Sequence, residues 1–278
     1  MTSTVSAADQ QTNKQPLLTI SIVTYNPDFL ELRKTLDSLE TALTSFEPTA
    51  FAITIVDNSL SNEVALFLLR NYPDLPFELI HGQGNIGFGR AHNLAMQQMG
   101  KFHLILNPDI QLAPDALMNA LSFMSENEKC GLLSPHASWP NGQRQYLCKR
   151  FPSVFDLLLR GFAPKKIRSF FSARLARYEM RDETNDTIYW NPPIVSGCFM
   201  FFRSTILHNI GGFNERFFLY FEDFDLALRS RKVANTAYLS AIQVVHAGGH
   251  ASKKGYWHRK VFVQSAIKFY IIHGLKLL

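Results

Sequence analysis

The first half of this chain alternates short apolar runs with stretches of helical periodicity, and that alternation restricts the fold more than any other feature. The apolar runs have the composition of buried strands and occupy residues 17–24, 51–56, 77–80 and 102–106. The helical stretches follow them, near residues 28–43, 62–71, 87–99 and 114–127. Strands and helices in this order predict an α/β fold with a mostly parallel, Rossmann-like sheet and helices on both faces.

The composition supports a globular chain with a core of ordinary size. The chain has 278 residues, of which 46% are hydrophobic, and this excludes disorder of the whole chain. Residues 1–16 are polar and lack an apolar stretch, so we predict a flexible tail there and no signal peptide. No uninterrupted run of about 18 apolar residues occurs, so no membrane-spanning helix is expected.

Charge and cysteine content exclude some classes of protein and leave others open. A net charge of +5 is compatible with a phosphorylated substrate, an anionic membrane or nucleic acid. Cys130, Cys148 and Cys198 are odd in number and form no C-x-x-C pair. This disfavours a disulfide scaffold or a zinc knuckle and favours a reducing cytoplasm. No recognised RNA- or DNA-binding module accompanies the basic residues, so we expect no nucleic-acid partner.

Polar clusters follow three of the predicted strands. They are Thr24-Tyr25-Asn26, Asp57-Asn58 and Asn107-Pro108-Asp109. Each cluster alone is equally well explained by a turn, because Asn, Asp and Pro favour turns. Together the clusters would lie at the carboxyl ends of parallel strands, where sheets of this kind bind their ligands. A carboxylate in that place can hold a divalent cation, and the cation can clamp a diphosphate.

Three further segments carry candidate chemistry. Residues 84–93 (GNIGFGRAHN) open a helix with three glycines, whose backbone N–H groups favour anions, although this is not the G-x-G-x-x-G fingerprint. Glu222, Asp223 and Asp225 begin another helix; they could simply stabilise its N-terminus, or one could act as a general base. His246 precedes two glycines and could either complete a metal site or be structural.

The middle of the chain is strongly basic. Residues 160–181 contain seven Lys or Arg residues and one acidic residue, with phenylalanines interleaved. This pattern is typical of an element that lies on an anionic surface, and a solvated helix face or a lid over a site is an equal alternative. Farther along the chain, the apolar residues 194–203 are predicted as one core strand, and residues 257–278 as a closing amphipathic helix. Its apolar face would consist of Val261, Phe262, Ile267, Tyr270 and Ile271.

Seven segments of the chain, taken in order, resemble those of a known enzyme family. The segments TYN, VDNS, GNIGFGRAHN, NPD, VSGCFMFFR, FEDFDLALR and HAGGHAS closely resemble those of the family 2 glycosyltransferases, most of all their bacterial rhamnosyltransferase-like branch. The resemblance covers about residues 17–276. It implies a fold of the GT-A type. A nucleotide-sugar-binding half at 17–137 would be followed by an acceptor-binding, catalytic half at 138–256, which contains the basic insert 160–181.

The same resemblance implies roles for individual residues. The nucleotide-sugar donor would be bound by Thr24, Tyr25, Asn26, Asp57, Asn85, Gly87, Arg90, Asn93 and Asn107. Asp109 and His246 would hold Mg²⁺ or Mn²⁺, and Asp223 would be the catalytic base, with Glu222 beside it. Asn107 departs from the family's D-x-D motif, in which the first position is Asp. Because a neutral amide lowers the charge, weaker metal binding or a partly dispensable metal is expected.

The implied activity is an inverting transfer of a sugar from a nucleotide diphosphate to a hydroxyl group. dTDP-L-rhamnose is the favoured donor, with a UDP-hexose or UDP-galactofuranose as alternatives. The acceptor would be a glycan or a polyprenyl-diphosphate-linked saccharide, as in O-antigen or capsule assembly, which implies a cytoplasmic enzyme peripheral to the inner face of the plasma membrane. The rivals are a non-catalytic sugar-binding domain and a nucleotidyltransferase. The latter usually has a Gly-rich basic loop where Tyr25-Asn26-Pro27-Asp28 stands.

Overall fold

The computed structural model describes residues 15–161, 163–185, 187–248 and 255–278. The predicted flexible tail, residues 1–16, therefore lies outside the described residues except for Gln15 and Pro16. Two other features singled out in the sequence also lie outside them in part. These are Phe162 of the basic segment and the end of the HAGGHAS loop, from residue 249 onward.

Twelve strands occur in the described residues. They are β1 (Leu18–Thr24), β2 (Phe51–Asp57), β3 (Phe77–His81), β4 (Phe102–Leu106), β5 (Ile110–Leu112), β6 (Cys130–Ser138), β7 (Arg144–Gln145), β8 (Cys148–Lys149), β9 (Ile188–Trp190), β10 (Ile194–Val195), β11 (Phe199–Arg203) and β12 (Asn235–His246). The main sheet has the order β3-β2-β1-β4-β11-β6-β12-β5, with β7 beside β6 and β9 beside β12, while β8 and β10 form a separate pair. In that row β11 and β5 run antiparallel to the other six strands.

Ten α-helices connect or follow these strands in the described residues. They are α1 (Phe29–Leu43), α2 (Glu63–Asn71), α3 (Phe88–Ala95), α4 (Ala116–Glu126), α5 (Val154–Gly161), α6 (Lys165–Phe170), α7 (Ser172–Tyr178), α8 (Ser204–Asn209), α9 (Glu222–Ser230) and α10 (Gly255–His273). Helix α1 begins at an N-cap, where the Asp28 carboxylate accepts from the N–H groups of Leu30 and Glu31. Such a cap satisfies backbone donors that the first helical turn leaves free.

The core has two layers, one on each face of the main sheet. In β4, Leu104 and Leu106 pack with residues of α1, α2 and α4, whereas Ile105 packs with residues of α8 and α9. Successive residues alternate in this way because a strand has a period of two. Both faces are apolar because helices cover both. The predicted α/β fold, a mostly parallel sheet with helices on both faces, is therefore confirmed.

Residues 194–203 differ from the single core strand that their apolar sequence predicts. The segment is split into β10 and β11, with Ser196, Gly197 and Cys198 between them. Strand β10 pairs with β8, while β11 enters the main sheet between β4 and β6. The expectation was wrong because the two halves of the segment find different partner strands, and hydropathy does not encode which strand is the partner.

The charges of the basic segment, 160–181, have different surroundings. Arg174 forms an ion pair of 2.6 Å with the buried Asp156, so it stabilises the packing of α7 on α5. Arg160 and Arg181 line a cavity. The exposed basic side chains of α6 and α7 are Lys165, Lys166 and Arg177. The segment is therefore neither one continuous basic surface nor a simple solvated helix face.

Helix α10 ends at His273, short of the predicted end at Leu278. Phe269 is buried, and Phe262 and Tyr270 pack beside it on the rest of the chain. Ile267 and Ile271 stay exposed. The helix thus packs onto the domain and also leaves an apolar strip in contact with solvent. None of the helices in the described ranges combines the length and apolar character that crossing a bilayer requires.

Candidate functional site

The carboxyl ends of β1 and β2 meet at one edge of the sheet, where Asp57 centres a hydrogen-bond network. Its Oδ1 accepts from the Thr24 hydroxyl over 2.8 Å and from the Ser59 hydroxyl and N–H over 2.7 and 3.1 Å. The Ser59 hydroxyl in turn accepts from the Asn26 N–H over 2.8 Å. Within the described residues no hydrogen bond uses Oδ2 of Asp57. That carboxylate oxygen is therefore available to a ligand.

A cavity of about 490 Å³, which we call the donor cavity, opens beside this network. Gly87 has a φ of +94°, and a Cβ there would overlap the carbonyl oxygen of Phe218, so only glycine fits. The Asn85 side chain accepts from the Gly87 N–H over 3.1 Å and shapes the turn. Polar strand ends and aromatic rings thus share one cavity, a mixture suited to a nucleotide. Its lining includes Thr24, Tyr25, Asn58, Asn85, Gly87, Phe88, Phe218 and Trp257.

Arg90 and Asn93, which the resemblance places at the donor, contact the loop before α9 and are not among the described residues that line this cavity. The Asn93 amide bonds the N–H and carbonyl of Phe213 over 2.8 and 2.9 Å. The Arg90 Nε donates to the Glu215 carbonyl over 3.1 Å. Both side chains thus hold the loop that leads to Phe218. Their direct contact with a donor stays a prediction.

Asp109 and His246 are brought together by the pairing of β5 with β12. His246 is in register with Ile110, and the Ala247 N–H donates to the Asp109 carbonyl over 3.0 Å. The His246 Nε2 lies 3.5 Å from the Asp109 Oδ1. On the other side of the ring, Nδ1 lies 2.6 Å from the side-chain oxygen of Gln145. A bond from Nδ1–H to this oxygen leaves Nε2 as the ligating nitrogen.

The residues around Asp109 fit a divalent cation bound jointly with a diphosphate. The Oδ1 atoms of Asn107 and Asp109 are buried and have no hydrogen-bond partner among the described residues. With the His246 nitrogen they form a donor set that suits Mg²⁺ or Mn²⁺. The described residues contain no group of three or more His, Cys, Asp or Glu that could hold a metal. Diphosphate or water oxygens would therefore have to complete the coordination.

His246 binds a proton more tightly than an ordinary histidine does. Burial opposes the charged ring, but the neighbouring Cys198 sulfur and the Asp109 carboxylate outweigh it and raise the pKa of His246 to about 10. A cation would have to displace this proton from the imidazole. Gly248 lies so close to Asp109 that a Cβ would overlap the carboxylate.

The start of α9 presents Asp223 from a strained turn. Tyr220 and Phe221 have φ values of +69° and +66°, which residues with a side chain seldom adopt. The Asp223 carboxylate accepts from the Gly197 N–H over 2.8 Å and from the Phe224 N–H over 2.9 Å. Two backbone donors thus fix its orientation while the side chain stays partly exposed. Backbone strain of this kind clusters at functional sites.

Glu222 is the buried neighbour of Asp223. Burial, and then the charge of Asp223, raise the pKa of Glu222 well above its usual range. Burial also raises the pKa of Asp223, although N–H groups that include those of Gly197 and Phe224 favour its charged form. A higher pKa makes a carboxylate a stronger proton acceptor. Asp223 therefore combines the orientation, the access and the proton affinity that a general base needs.

Asp225, the third carboxylate of this cluster, has a structural role. It is fully buried, forms an ion pair with Arg229 over 2.7 Å and shares a hydrogen bond of 2.8 Å with His273. Arg229 also donates to the carbonyls of Ile210 and Gly212. This network joins α9 to α10 and to the loop after α8. The acidic cluster therefore divides into two residues at the site and one in the core.

Three residues that shape the site carried no assigned role in the sequence. Ser59 joins two strand ends, Gln145 orients His246, and Gly197 supports the carboxylate at the start of α9. Ser59 and Gly197 lie within VDNS and VSGCFMFFR, two of the segments that carry the family resemblance, and this was a usable signal. Gln145 is distant from His246 in sequence and offered no such signal.

Known protein sequences resemble this chain over most of its length. The glycosyl transferase family 2 model matches residues 19–211, more than half of the chain. An N-acetylglucosaminyl-diphospho-decaprenol L-rhamnosyltransferase from Mycobacterium tuberculosis is 25% identical over 253 residues, which cover 85% of this chain and 78% of the relative. The rhamnosyltransferase WbbL from Escherichia coli (strain K12) is 24% identical over 195 residues, covering 64% of this chain and 69% of the relative.

Solved structures share the fold. The mannosyltransferase PcManGT from Pyrobaculum calidifontis, in complex with GDP-Man and Mn²⁺, has a TM-score of 0.62 at 19% identity and matches 95% of this chain. S. aureus TarS 1-349 in complex with UDP-GlcNAc has a TM-score of 0.57 at 18% identity and matches 91% of this chain. This chain covers 66% of each of those chains, just under two thirds. These likenesses confirm the predicted GT-A type of fold.

Proposed function

This chain belongs to glycosyl transferase family 2, and we propose that it is an inverting enzyme that transfers L-rhamnose from dTDP-L-rhamnose to a hydroxyl group of a lipid-linked saccharide. Membership of the family makes it a glycosyltransferase. The donor, the acceptor and the stereochemical outcome are the proposal. Relatives named as rhamnosyltransferases support the donor, and the decaprenol-linked substrate in the name of one supports the acceptor. Synthesis of a bacterial surface polysaccharide is the corresponding process.

The placement of Asp223 is the observation that carries the proposal. Phe218 and Leu219, a few residues before it, line the donor cavity, and Phe224, directly after it, lines a second cavity. A general base must contact the acceptor hydroxyl while the donor presents its anomeric carbon. A carboxylate that is oriented by two backbone N–H groups, and whose chain neighbours line a cavity on either side of it in the sequence, meets this requirement.

In the proposed reaction the acceptor hydroxyl oxygen attacks the anomeric carbon of the donor sugar. Asp223 accepts the hydroxyl proton, the glycosidic bond forms, and the bond between the sugar and the nucleotide diphosphate breaks on the opposite face. One displacement inverts the anomeric carbon and needs no covalent intermediate with the enzyme. Glu222 supports Asp223 from the buried side.

Binding of the donor is assigned to the residues at the strand ends and the glycine turn. Oδ2 of Asp57 would accept from the base or the ribose, since Oδ1 already has three donors. Thr24, Tyr25 and Asn26 would border the nucleoside, and Asn85 and Gly87 the diphosphate. In this proposal Arg90 and Asn93 act through the loop that they hold, which carries Phe218 into the donor cavity.

Asp109 and His246, with the amide oxygen of Asn107, would hold Mg²⁺ or Mn²⁺ together with the donor diphosphate. When bound, the cation neutralises negative charge on the departing nucleotide diphosphate. The buried oxygens of Asn107 and Asp109 that lack a partner support this assignment. Structural neighbours that hold Mn²⁺ support it further.

There are two alternatives to this proposal, one with a different donor and one without catalysis. A UDP-hexose or UDP-galactofuranose is the alternative donor, because a neighbour of the same fold was solved with UDP-GlcNAc. A non-catalytic binding domain is disfavoured by Glu222, since burial of a carboxylate beside the charge of Asp223 destabilises a protein and binding alone gives no reason to keep it.

We also propose that the enzyme is cytoplasmic and binds the inner face of the plasma membrane peripherally. Lys165 and Lys166 are exposed on α6, where Phe170 is 83% exposed. Ile271 on α10 is 78% exposed. Exposed cationic and large apolar side chains are the two features that attract an element to an anionic bilayer.

Incubation with a panel of nucleotide sugars tests the activity and the donor together. dTDP-L-rhamnose, UDP-GlcNAc, UDP-glucose and UDP-galactofuranose are each supplied with an N-acetylglucosaminyl-diphospho-prenol, with and without Mn²⁺. We expect transfer from dTDP-L-rhamnose, with inversion at the anomeric carbon detected by NMR. If only a UDP-sugar supports transfer, that UDP-sugar is the donor and dTDP-L-rhamnose is not. Tight nucleotide-sugar binding without turnover on any pair would favour the binding domain.

A further inference from the structure

A second cavity, of about 400 Å³, adjoins the site through Ser196, Phe224 and His246. Ser196 and Phe224 are chain neighbours of Gly197 and Asp223, so the cavity begins beside the proposed base. Among the described residues it shares no lining residue with the donor cavity. It is therefore a separate compartment of the same site, and we call it the basic cavity because of the charges described next.

Apart from His246, a proposed metal ligand, four cationic side chains line the basic cavity in the described part of the chain, and Glu179 is the one carboxylate among its described lining residues. The four cationic side chains are Arg144, Lys149, Arg160 and Arg181. Glu179 lies 2.6 Å from Arg181, 3.5 Å from Arg160 and 3.9 Å from Lys149. Arg144 bonds uncharged groups. One negative charge thus faces four positive ones when Lys149 is protonated.

The buried position of Lys149 shows how crowded these charges are. Burial, and then the Arg160 guanidinium, lower the pKa of Lys149 to about 7. Glu179 and the Cys148 sulfur oppose this shift, whereas Arg181 adds to it. A buried ammonium group is costly unless an anion accompanies it. A bound anion would supply the negative charge that this cavity lacks.

We propose that the basic cavity binds the diphosphate group of the acceptor. The inference rests on the proposed function, in which an acceptor hydroxyl reaches Asp223, and it names the part of the acceptor that is recognised away from the reacting atoms. A diphosphate carries several negative charges and oxygens that accept paired bonds from arginine. Trp139 also lines this cavity and stacks near His246, with ring centroids 6.5 Å apart, so the wall of the cavity is aromatic as well as cationic.

The diphosphate of the donor does not fit the basic cavity equally well. That group belongs to the same molecule as the nucleoside, and Asn85 and Gly87 line the cavity that would hold the nucleoside. Neither residue lines the basic cavity, and of the proposed cation ligands Asn107, Asp109 and His246 only His246 lines it, at its border with the cation site. The donor carries one diphosphate, so the second set of cations calls for a second anionic substrate.

Helix α5 connects the basic cavity with an apolar surface. Arg160, near the end of α5, lines the basic cavity, while Leu157 and Leu158 of the same helix line an apolar groove against Ile267 and Ile271 of α10. An acceptor whose diphosphate is attached to an apolar chain would meet a cationic and an apolar surface on one helix. This favours a lipid diphosphate over a free sugar phosphate.

Calorimetric titration of the full chain with geranyl diphosphate, in EDTA, tests the proposal, with geraniol as the uncharged probe. We expect the diphosphate to bind and geraniol not to compete with it. The double variant Arg160→Gln/Arg181→Gln should weaken binding at least about tenfold. Arg150→Gln is the matched control, because Arg150 is a similarly exposed arginine that pairs with Glu183 outside the cavity. The Arg150→Gln variant should bind geranyl diphosphate with the affinity of the wild type.

The same titration with the donor cavity filled separates the two possible diphosphate sites. dTDP is added first, at a concentration that its own titration shows to be saturating. Undiminished binding of geranyl diphosphate supports the basic cavity, whereas its loss would place the probe in the donor cavity and overturn the proposal. An unchanged affinity in the double variant would overturn it as well. If the double variant unfolds, Arg181→Gln alone replaces it, since Arg181 is exposed and bonds Glu179.

Transfer measurements distinguish this inference from the proposed function. N-acetylglucosamine is offered as a prenyl diphosphate and as a neutral octyl glycoside. In the double variant, kcat/KM for the diphosphate acceptor should fall at least about tenfold, chiefly because KM rises. The kcat/KM for the octyl glycoside should stay within about twofold of the wild-type value. Equal losses on both acceptors would contradict a diphosphate site. Absence of transfer by the wild type from every donor would contradict the proposed function, and the titrations would still decide what the cavity binds.

Discussion

The backbone N–H of Gly197 donates a hydrogen bond of 2.8 Å to Oδ2 of Asp223, and a methyl group on Gly197 would lie 2.8 Å from the Cβ of Asp223. Gly197 stands in the break between β10 and β11, and Asp223 stands in the first turn of α9. A break in a strand segment therefore orients a carboxylate on a helix. Through this contact the fold positions the proposed catalytic base.

Gly197→Ala should lower activity more than it lowers stability. The added methyl group has to displace Asp223, and a shift of about 1 Å at a catalytic group can reduce turnover by about 100-fold. Overpacking of this kind destabilises a protein by about 1–3 kcal/mol. Sugar transfer and thermal unfolding are measured on the same preparation. The control is Gly161→Ala, because a Cβ on Gly161 meets nothing within 4 Å; equal activity of the two variants would contradict the prediction.

Asp223→Asn should nearly abolish transfer, because it removes proton acceptance at almost constant shape. A loss of at least about 100-fold in kcat is expected for a general base. Nucleotide affinity should stay at the wild-type value, since Asp223 is not among the residues that line the donor cavity. Calorimetry and turnover assays separate the two effects. If Glu222→Gln is the inactive variant and Asp223→Asn is active, the base is Glu222.

For Asp225→Asn, two positions away, we predict the opposite outcome, a loss of stability with little loss of activity. Asp225 is buried and paired with Arg229 and His273, and loss of one partner from a buried ion pair typically costs about 3–5 kcal/mol. We expect the free energy of unfolding to fall by that amount, measured by urea titration. Turnover per folded molecule should change little in comparison with Asp223→Asn. A stable but inactive Asp225→Asn would move the catalytic role to this residue.

Glu222 makes stability depend on pH, with a sign that follows from its raised pKa. The native state keeps a proton that the unfolded state releases, so stability falls as pH rises above the ordinary carboxyl pKa, about 4.3, toward the raised one. Glu222→Gln removes this effect. By calorimetry, the Tm of the variant relative to the wild type should be lowest near about pH 4 and should rise as the pH increases above that value. A difference independent of pH would refute the raised pKa.

Asp109→Ala should weaken nucleotide diphosphate binding measured with Mn²⁺, and His246→Ala should weaken it less, because each removes one ligand of the proposed cation. In EDTA both variants should bind the nucleotide as the wild type does. Asp115→Ala, an exposed carboxylate at the start of α4, serves as the control. Full wild-type turnover after removal of divalent metal would show that the cation is dispensable, as the neutral Asn107 allows.

Co-sedimentation with liposomes tests the proposed membrane association. Binding should increase with the anionic lipid content and decrease with salt, since each basic residue near such a surface contributes about 1 kcal/mol. Gln substitutions at Lys165, Lys166 and Arg168 together should weaken binding at least about tenfold. Equal substitutions at Lys129, Arg231 and Lys232 are the charge-matched control. Wild-type protein that stays in the supernatant under every condition would show that the association is wrong.

Local pattern was enough to predict the parallel part of the sheet. The apolar runs of β1, β2 and β4 and the Asp28 cap of α1 are expressed in adjacent residues, so periodicity and capping chemistry reveal them directly. The polar clusters at the ends of those strands were predictable for the same reason. Strands that run parallel in one sheet bring their carboxyl ends to one edge, and Thr24 and Asp57 do meet there.

Contacts between distant residues could not be predicted in this way. By itself the sequence determined the order of the main strands and helices in the first half of the chain, the family to which the chain belongs and the residue types available for chemistry. Only the tertiary structure decided that residues 194–203 divide between two sheets, that Asp225 pairs with His273, and that Arg160 and Arg181 enclose a cavity with Lys149. The physical reason is that a side chain's partner is selected by packing and strand pairing across the whole fold, whereas sequence periodicity records only which face of its own element the side chain occupies.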